Sequence, residues 1–134
     1  MLEGVTFILR NKENRLLLQL RDGNTSRNPH KWCFFEGSIE PGESQTQVLQ
    51  REVFEELEYE MRNPRLLARI VLLDKEKGEV VYNIFADDYD EAQKLVLGEG
   101  EAMQWFSLTE MEKLDLADSM RELLRQLKPL LINF

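Results

Sequence analysis

The chain has 134 residues, 43% of them hydrophobic and 31% charged, with a formal net charge of −8. This length predicts one domain, residues 1–134, large enough to bury a core. The acidic balance excludes a nucleic-acid binder that works through a basic surface, but leaves open a nucleotide ligand whose charge is met by metal ions.

Cys33 is the sole cysteine and His30 the sole histidine. An internal disulfide and a Cys/His zinc site are therefore excluded, and the usage fits a reducing cytoplasm. No apolar run nears the roughly 18 residues needed to span a membrane. Met1 is followed by Leu-Glu-Gly rather than by a basic region and an apolar signal core, so neither a leader nor a membrane partner is expected.

In chain order, Val5 to Leu9 is a short β-branched, apolar run and predicts a strand. Asn11 to Asn14 reads as a turn and Arg15 to Leu20 as a second strand, giving a hairpin over residues 5–20. Arg21-Asp22-Gly23-Asn24 ends it, and a polar loop containing Pro29 runs to Lys31. Trp32 to Phe35 is an aromatic strand leading into the loop Gly37-Ser-Ile-Glu-Pro-Gly-Glu43. Ser44, with Gln47 three residues on, reads as a capping box that opens a helix ending near Glu58.

That helix has two characters. Leu49, Val53 and Leu57 stack one turn apart, with Phe54 beside them. Glu52, Glu55 and Glu56 fall within an arc of roughly 100°. Like charges this close repel by a few tenths of a kcal/mol per i,i+4 pair. A hard divalent cation would reverse that sign, since such ions take oxygen ligands. A solvated acidic face is the ordinary reading of three glutamates on a helix; here the surrounding pattern argues against it.

Past Asn63-Pro64, Leu66 to Leu73 reads as a buried strand, Asp74 to Glu79 as a turn and Val80 to Ala86 as its antiparallel partner. Asp87 to Glu91 reads as a solvated acidic loop. Gly98-Glu-Gly-Glu101 is a second acidic loop, followed by a strand over Ala102 to Phe106. Ser107-Leu-Thr109 leads into a turn, with Thr109 or Asp115 as caps. Leu116 to Leu127 has helical apolar spacing that predicts a core-facing helix, ended with the help of Pro129.

Gly37, Glu43, Arg51, Glu52, Val53, Glu55 and Glu56 fit the pattern Gly-x5-Glu-x7-Arg-Glu-U-x-Glu-Glu-x-Gly-U, with U bulky and apolar. This resembles the signature box of the Nudix hydrolases. Glu58 departs from the box glycine, and Tyr59 from its final aliphatic residue. The resemblance implies the Nudix fold, an α/β (α+β) architecture with a mixed β-sheet sandwiched between helices. It also implies metal-dependent hydrolysis of a phosphoanhydride in a nucleoside diphosphate linked to another moiety, X, by metal-activated water.

On the same basis Glu52, Glu55 and Glu56 would ligate Mg²⁺ or Mn²⁺, and Glu56 doubles as the base in some members. Arg51 would orient Glu52, while Gly37 and Glu43 hold the box together. Glu36 stands where the family has the first of two glycines, whose carbonyl is a common metal ligand. Its carbonyl could keep that role, its carboxylate could join the metal, or a positive φ would strain it. Glu99, with Glu101 as fallback, matches an acidic position that serves as ligand or base. Arg21, Phe35, Gly37, Tyr82 and Asp118 are the candidate contacts to a small nucleotide substrate. A Nudix-fold binding or regulatory module is the competing reading, favoured by Glu36 and Glu58 in place of glycines. A homodimer is left open.

Overall fold

The computed structural model describes residues 2–24, 28–98, 100–132 and 134. Its strands are β1 (Leu2–Arg10), β2 (Leu16–Leu20), β3 (Trp32–Cys33), β4 (Phe35–Ser38), β5 (Arg65–Asp74), β6 (Gly78–Asp88) and β7 (Ala102–Phe106). Its helices are α1 (Gln45–Leu57), the single-turn α2 (Leu108–Met111) and α3 (Met120–Ile132). Among the described residues the strands form one mixed sheet ordered β3-β2-β1-β6-β5, with β4 joined to β1 and β7 to β2. β1 runs parallel to β6 along its whole length, from Leu2↔Val80 to Arg10↔Asp88.

The sheet has a core on each face, as expected when helices cover both sides. Alternation along β1 sorts the residues. Val5, Phe7 and Leu9 pack with Leu17, Phe35 and the α1 residues Val48, Leu49, Val53 and Leu57. Ile8 packs on the opposite face with Leu16, Leu18, Phe34 and the α3 residues Leu123, Leu124 and Leu127. The mixed sheet between helices is thus the observed architecture. Phe54, placed by spacing beside the apolar stripe, instead points outward and is 61% exposed.

The hairpin is real but brief. β1 and β2 share one registered pair, Arg10↔Leu16. Beyond it the strands part: β1 pairs with β4 from Phe7↔Phe35 to Gly4↔Ser38, and β2 turns to β7 and β3. The aromatic run is correspondingly two strands, with Phe34 at the crossing. This divergence opens a wedge in the sheet, and the wedge becomes the groove described below.

Four other expectations change. β5 is an edge strand paired only with β6, so Ile70 is buried while Leu66, Val71 and Leu73 stay exposed. Asp87 is not solvated: it is 5% exposed and its carboxylate accepts the backbone N–H groups of Asn63 (2.8 Å) and Asp88 (2.8 Å). The cap of α2 is Ser107, in a reciprocal box with Glu110; Thr109 lies inside that turn, and Asp115 stands five residues short of the final helix. Finally, α3 starts at Met120, because the backbone of residues 115–117 is taken up in a bridge to Trp32. It continues past Pro129 to Ile132. Pro129 removes one helical hydrogen bond, and the burial of Leu127 and Leu131 on either side offsets that loss.

Candidate functional site

The acidic end of α1 is the first part of the site. Ser44 and Gln47 form the reciprocal capping box. The first turn of the helix carries no acid and the last turn no base, while Glu55 and Glu56 occupy its final turn with Glu52 just before them. This is the reverse of what the helix dipole favours, since anions near the C-terminal end are destabilising by about 0.3–1 kcal/mol each.

Arg51 gathers two of the carboxylates. Its Nη2 donates to Glu43 Oε1 and Oε2 at 2.9 and 3.1 Å, and its Nη1 donates to Glu52 Oε1 at 3.0 Å. Glu43 Oε1 also accepts the Glu40 backbone N–H at 3.0 Å, so the same carboxylate fastens the loop to the helix. Gly37 has an ordinary φ and is required for space instead: a Cβ there would lie 2.2 Å from both Cγ and Cδ of Glu52. The strand therefore comes up against the Glu52 carboxyl with no side chain between them.

Glu56 is buried at 4% exposure, whereas Glu55 is open to solvent. Among the described residues no three Asp, Glu, His or Cys side chains form a ready-made metal cluster. The donors are hard carboxylate oxygens on one helix face, with the Gly37 backbone packed against Glu52. That chemistry fits Mg²⁺ or Mn²⁺ and does not fit a soft metal.

The second part is the groove, about 680 Å³ in volume. It lies where β1 and β4 have parted from β2 and β3, with Gly4 and Thr6 on one side and Gln19, Cys33 and Phe34 on the other. The start of α3 and the β5–β6 turn also line it. It brings together Arg21, Glu36, Gly37, Glu56, Tyr82 and Asp118 from the sequence-derived set, and leaves Arg51, Glu52, Glu55 and Glu43 on the α1 side. Among the described residues lining it, Arg21 and Lys77 are the only cations, set against Glu3, Asp22, Glu36, Glu56, Asp74 and Asp118.

Phe35 is not in the groove. It is 1% exposed beneath α1 and stacks on Phe7 with ring centroids 5.5 Å apart. Strand alternation turns Phe34 to the other face, where it lines the groove, so the aromatic contact expected of Phe35 falls one residue earlier. The mixed aromatic run hid this, because every residue in it is apolar.

Glu36 pairs with Thr6 across the β4–β1 ladder and has no positive φ, so it carries none of the strain a left-handed position would impose. Alternation with Gly37 directs its side chain away from Glu52, into the groove that Glu56 also borders. Surrounding protein pushes the Glu36 carboxyl above its usual range, and Arg21 and Lys77 pull the other way. Glu36 is nevertheless solvent-exposed, as a side chain at the base of an open cleft would be, so water screens part of that shift. Beneath it, burial pushes the Cys33 thiol up to about 11, reinforced by Glu36 and opposed by the Arg21 guanidinium that bonds to it.

Glu58 is the position that does take a left-handed conformation, φ 50° and ψ 41°, as the C-cap of α1. The segment after β6 caps the helix further: Val96 N–H donates to Leu57 O at 2.9 Å and Gly98 N–H to Glu56 O at 2.7 Å. Glu99 lies outside the described residues. Glu101 accepts the Gly23 N–H at 2.8 Å and sits 3.1 Å from His30 Nδ1, which makes it a tie between β7 and the loop after β2. Asp118 lines the groove and its backbone N–H donates to Asn28 Oδ1 at 3.0 Å.

Known proteins share this fold. Residues 2–127 match the sequence profile described as NUDIX domain. An RNA pyrophosphohydrolase of Cronobacter sakazakii is 34% identical over 65 residues, 48% of this chain and 34% of that protein, so the match spans about a third of the curated relative's length. A MutT protein from Methanosarcina mazei superposes with a TM-score of 0.81 at 23% identity, over 96% of this chain and 93% of that one. The ORF135 protein of Escherichia coli gives 0.79 at 28% identity, over 97% and 90%. With the profile covering nearly the whole length, the chain belongs to the Nudix family.

Proposed function

We propose that the chain is a divalent-metal-dependent pyrophosphohydrolase of small nucleotides, acting as one Nudix domain on a nucleoside diphosphate linked to X. The observation that carries this reading is the cluster of Glu52, Glu55 and Glu56 at the negative end of α1, hard oxygen donors whose mutual repulsion a divalent cation would offset. Glu52, Glu55 and Glu56 would hold Mg²⁺ or Mn²⁺, with the backbone carbonyl of Glu36 as a further oxygen. When bound, the ion lowers the pKa of water and neutralises phosphoryl oxygens.

The protein's own residues do the rest. Arg51 fixes the orientation of Glu52 through the Glu43–Arg51–Glu52 chain. Gly37 lets the β4 backbone pack directly on the Glu52 side chain, which helps hold that carboxyl in place. Glu56 would take the proton from the attacking water, a role that its burial at the groove supports. Phe34 offers an apolar face, and Arg21, Tyr82 and Asp118 offer polar contacts to the rest of the nucleotide. In the net reaction one P–O bond forms to the water oxygen and the bridging P–O bond breaks, giving two phosphorylated products.

The test is a screen with Mg²⁺ or Mn²⁺ over nucleoside triphosphates, nucleotide sugars, ADP-ribose and dinucleoside polyphosphates. At least one class should be turned over, and Glu56→Gln should lower its kcat by about 100-fold or more with the fold intact. Unchanged turnover in both Glu55→Gln and Glu56→Gln would sink the reading. Nucleotide binding with no product from any class would favour the regulatory-module reading, which the added negative charge of Glu36 in the groove also supports.

A further inference from the structure

The proposed chemistry leaves one groove residue without a role. Lys77 lies in the turn between β5 and β6, far in sequence from the box, yet it lines the same groove as Glu36 and Arg21. The turn is built rather than loose. Asp74 Oδ1 accepts the backbone N–H groups of Glu76 (2.8 Å) and Lys77 (3.0 Å), and Gly78 takes the φ of +77° that closes it. Lys77 is thereby held at the groove edge by its own backbone, and its ammonium makes no ion pair with a described residue.

The two groove cations arrive from opposite sides of the wedge. Arg21 follows β2, Lys77 precedes β6, and Glu36 of β4 is within the electrostatic reach of both. In a groove bordered by six carboxylates, a polyanionic ligand needs a cation at each point where its charge would otherwise face acid. Arg21 serves the half of the groove made by β2 and β3. Among the described lining residues, Lys77 is the cation on the β5–β6 side, beside the start of β1.

We propose that Lys77 is a specificity-determining residue that takes an anionic group of X, so that the preferred substrates carry a phosphate beyond the scissile phosphoanhydride rather than a neutral sugar. The proposal rests on the pyrophosphohydrolase reading above and names its substrate class. In the free protein Glu36 is an acid of the same groove within electrostatic reach of Lys77. In the complex the phosphate of X replaces it as the closer anion, and a neutral X leaves the lysine where it was.

The experiment compares kcat/KM for ATP, whose X is phosphate, with that for ADP-glucose, whose X is uncharged, in the wild type, Lys77→Met and Lys77→Arg. The ratio of the two should fall by about tenfold in Lys77→Met, mainly through KM, and recover in Lys77→Arg. The steeper salt dependence of the ATP reaction should flatten in the methionine variant. An unchanged ratio, or an equal loss on both substrates, overturns the proposal, the latter by assigning Lys77 to the turn alone. Calorimetric titration with a methylene-bridged ATP analogue separates this result from failure of the catalytic reading. If no substrate is hydrolysed but the analogue still binds Lys77→Met about tenfold more weakly than wild type, Lys77 keeps its role and the catalysis is lost. Equal binding overturns Lys77 whatever the turnover.

Discussion

The acidic end of α1 and the groove beside it are built in opposite ways. In the first, Glu43, Arg51, Glu52, Glu55 and Glu56 lie within 14 consecutive positions, and hydrogen bonds of 2.9–3.1 Å join the first three. One helix and its entry loop fix every group. In the second, the lining comes from β1, β2, β3, β4, the β5–β6 turn and the start of α3, and its cations stand on segments more than fifty residues apart. A local constellation resists change elsewhere in the fold, so the bond-breaking step can stay the same. A dispersed one can exchange a wall residue such as Lys77 without disturbing the carboxylates. The difference separates reaction from recognition, and substitutions on the two sides should have different kinetic signatures.

The largest effect is expected where the two regions touch. Gly37→Ala places a Cβ 2.2 Å from Cγ and Cδ of Glu52, so the Glu52 carboxyl must move out of its pose on Arg51. kcat/KM should fall by about 100-fold for every substrate alike, since small displacements of a positioned group are costly. A loss confined to one substrate class would show that Gly37 belongs to recognition instead. Arg51→Lys comes next. A lysine keeps the charge but cannot bridge Glu43 and Glu52 with a planar fork. Apparent Mn²⁺ affinity, measured by titrating activity, should weaken by about 10–100-fold with little change in the ratio between substrates. If Arg51→Lys behaves as wild type, the bridge is an ordinary surface ion pair of little worth.

The same division decides what could be read from the sequence. The capping box at Ser44, the apolar stripe of α1 and the acidic arc were legible because a helix repeats every few residues and each part constrains its neighbours. The groove was not, because the parting of β1 and β2 after a single registered pair leaves no trace in local composition. The same parting moved the aromatic contact from Phe35 to Phe34, since a continuous apolar run does not declare which face each residue takes. Asp87 was misplaced for a related reason: an acid in an acidic stretch looks solvated until a distant backbone N–H, here that of Asn63, is brought to it. Lys77 drew no attention because a lysine in a charged turn is the commonest of surface residues.

The smallest expected effect tests whether the departures from the box glycines are functional or merely tolerated. Glu58 replaces a glycine of that pattern and Glu36 the family glycine just before it, yet of the two only Glu58 takes a positive φ. A side chain in the left-handed region costs roughly 1–2 kcal/mol, and glycine's greater freedom in the unfolded chain returns part of that. Glu58 is also an exposed acid at the negative end of α1 with no base in the last turn, which adds to its cost. Glu58→Gly should therefore raise Tm by about 2–4 °C. Its kcat and KM should be unchanged, because the Glu58 side chain faces solvent and does not border the groove. A thermal melt at fixed metal concentration decides it. A gain in stability without a change in rate makes Glu58 a tolerated strain at a helix end. A fall in activity would instead bring the C-cap into the reacting region, and the boundary drawn between α1 and the groove would have to move one turn further along the helix.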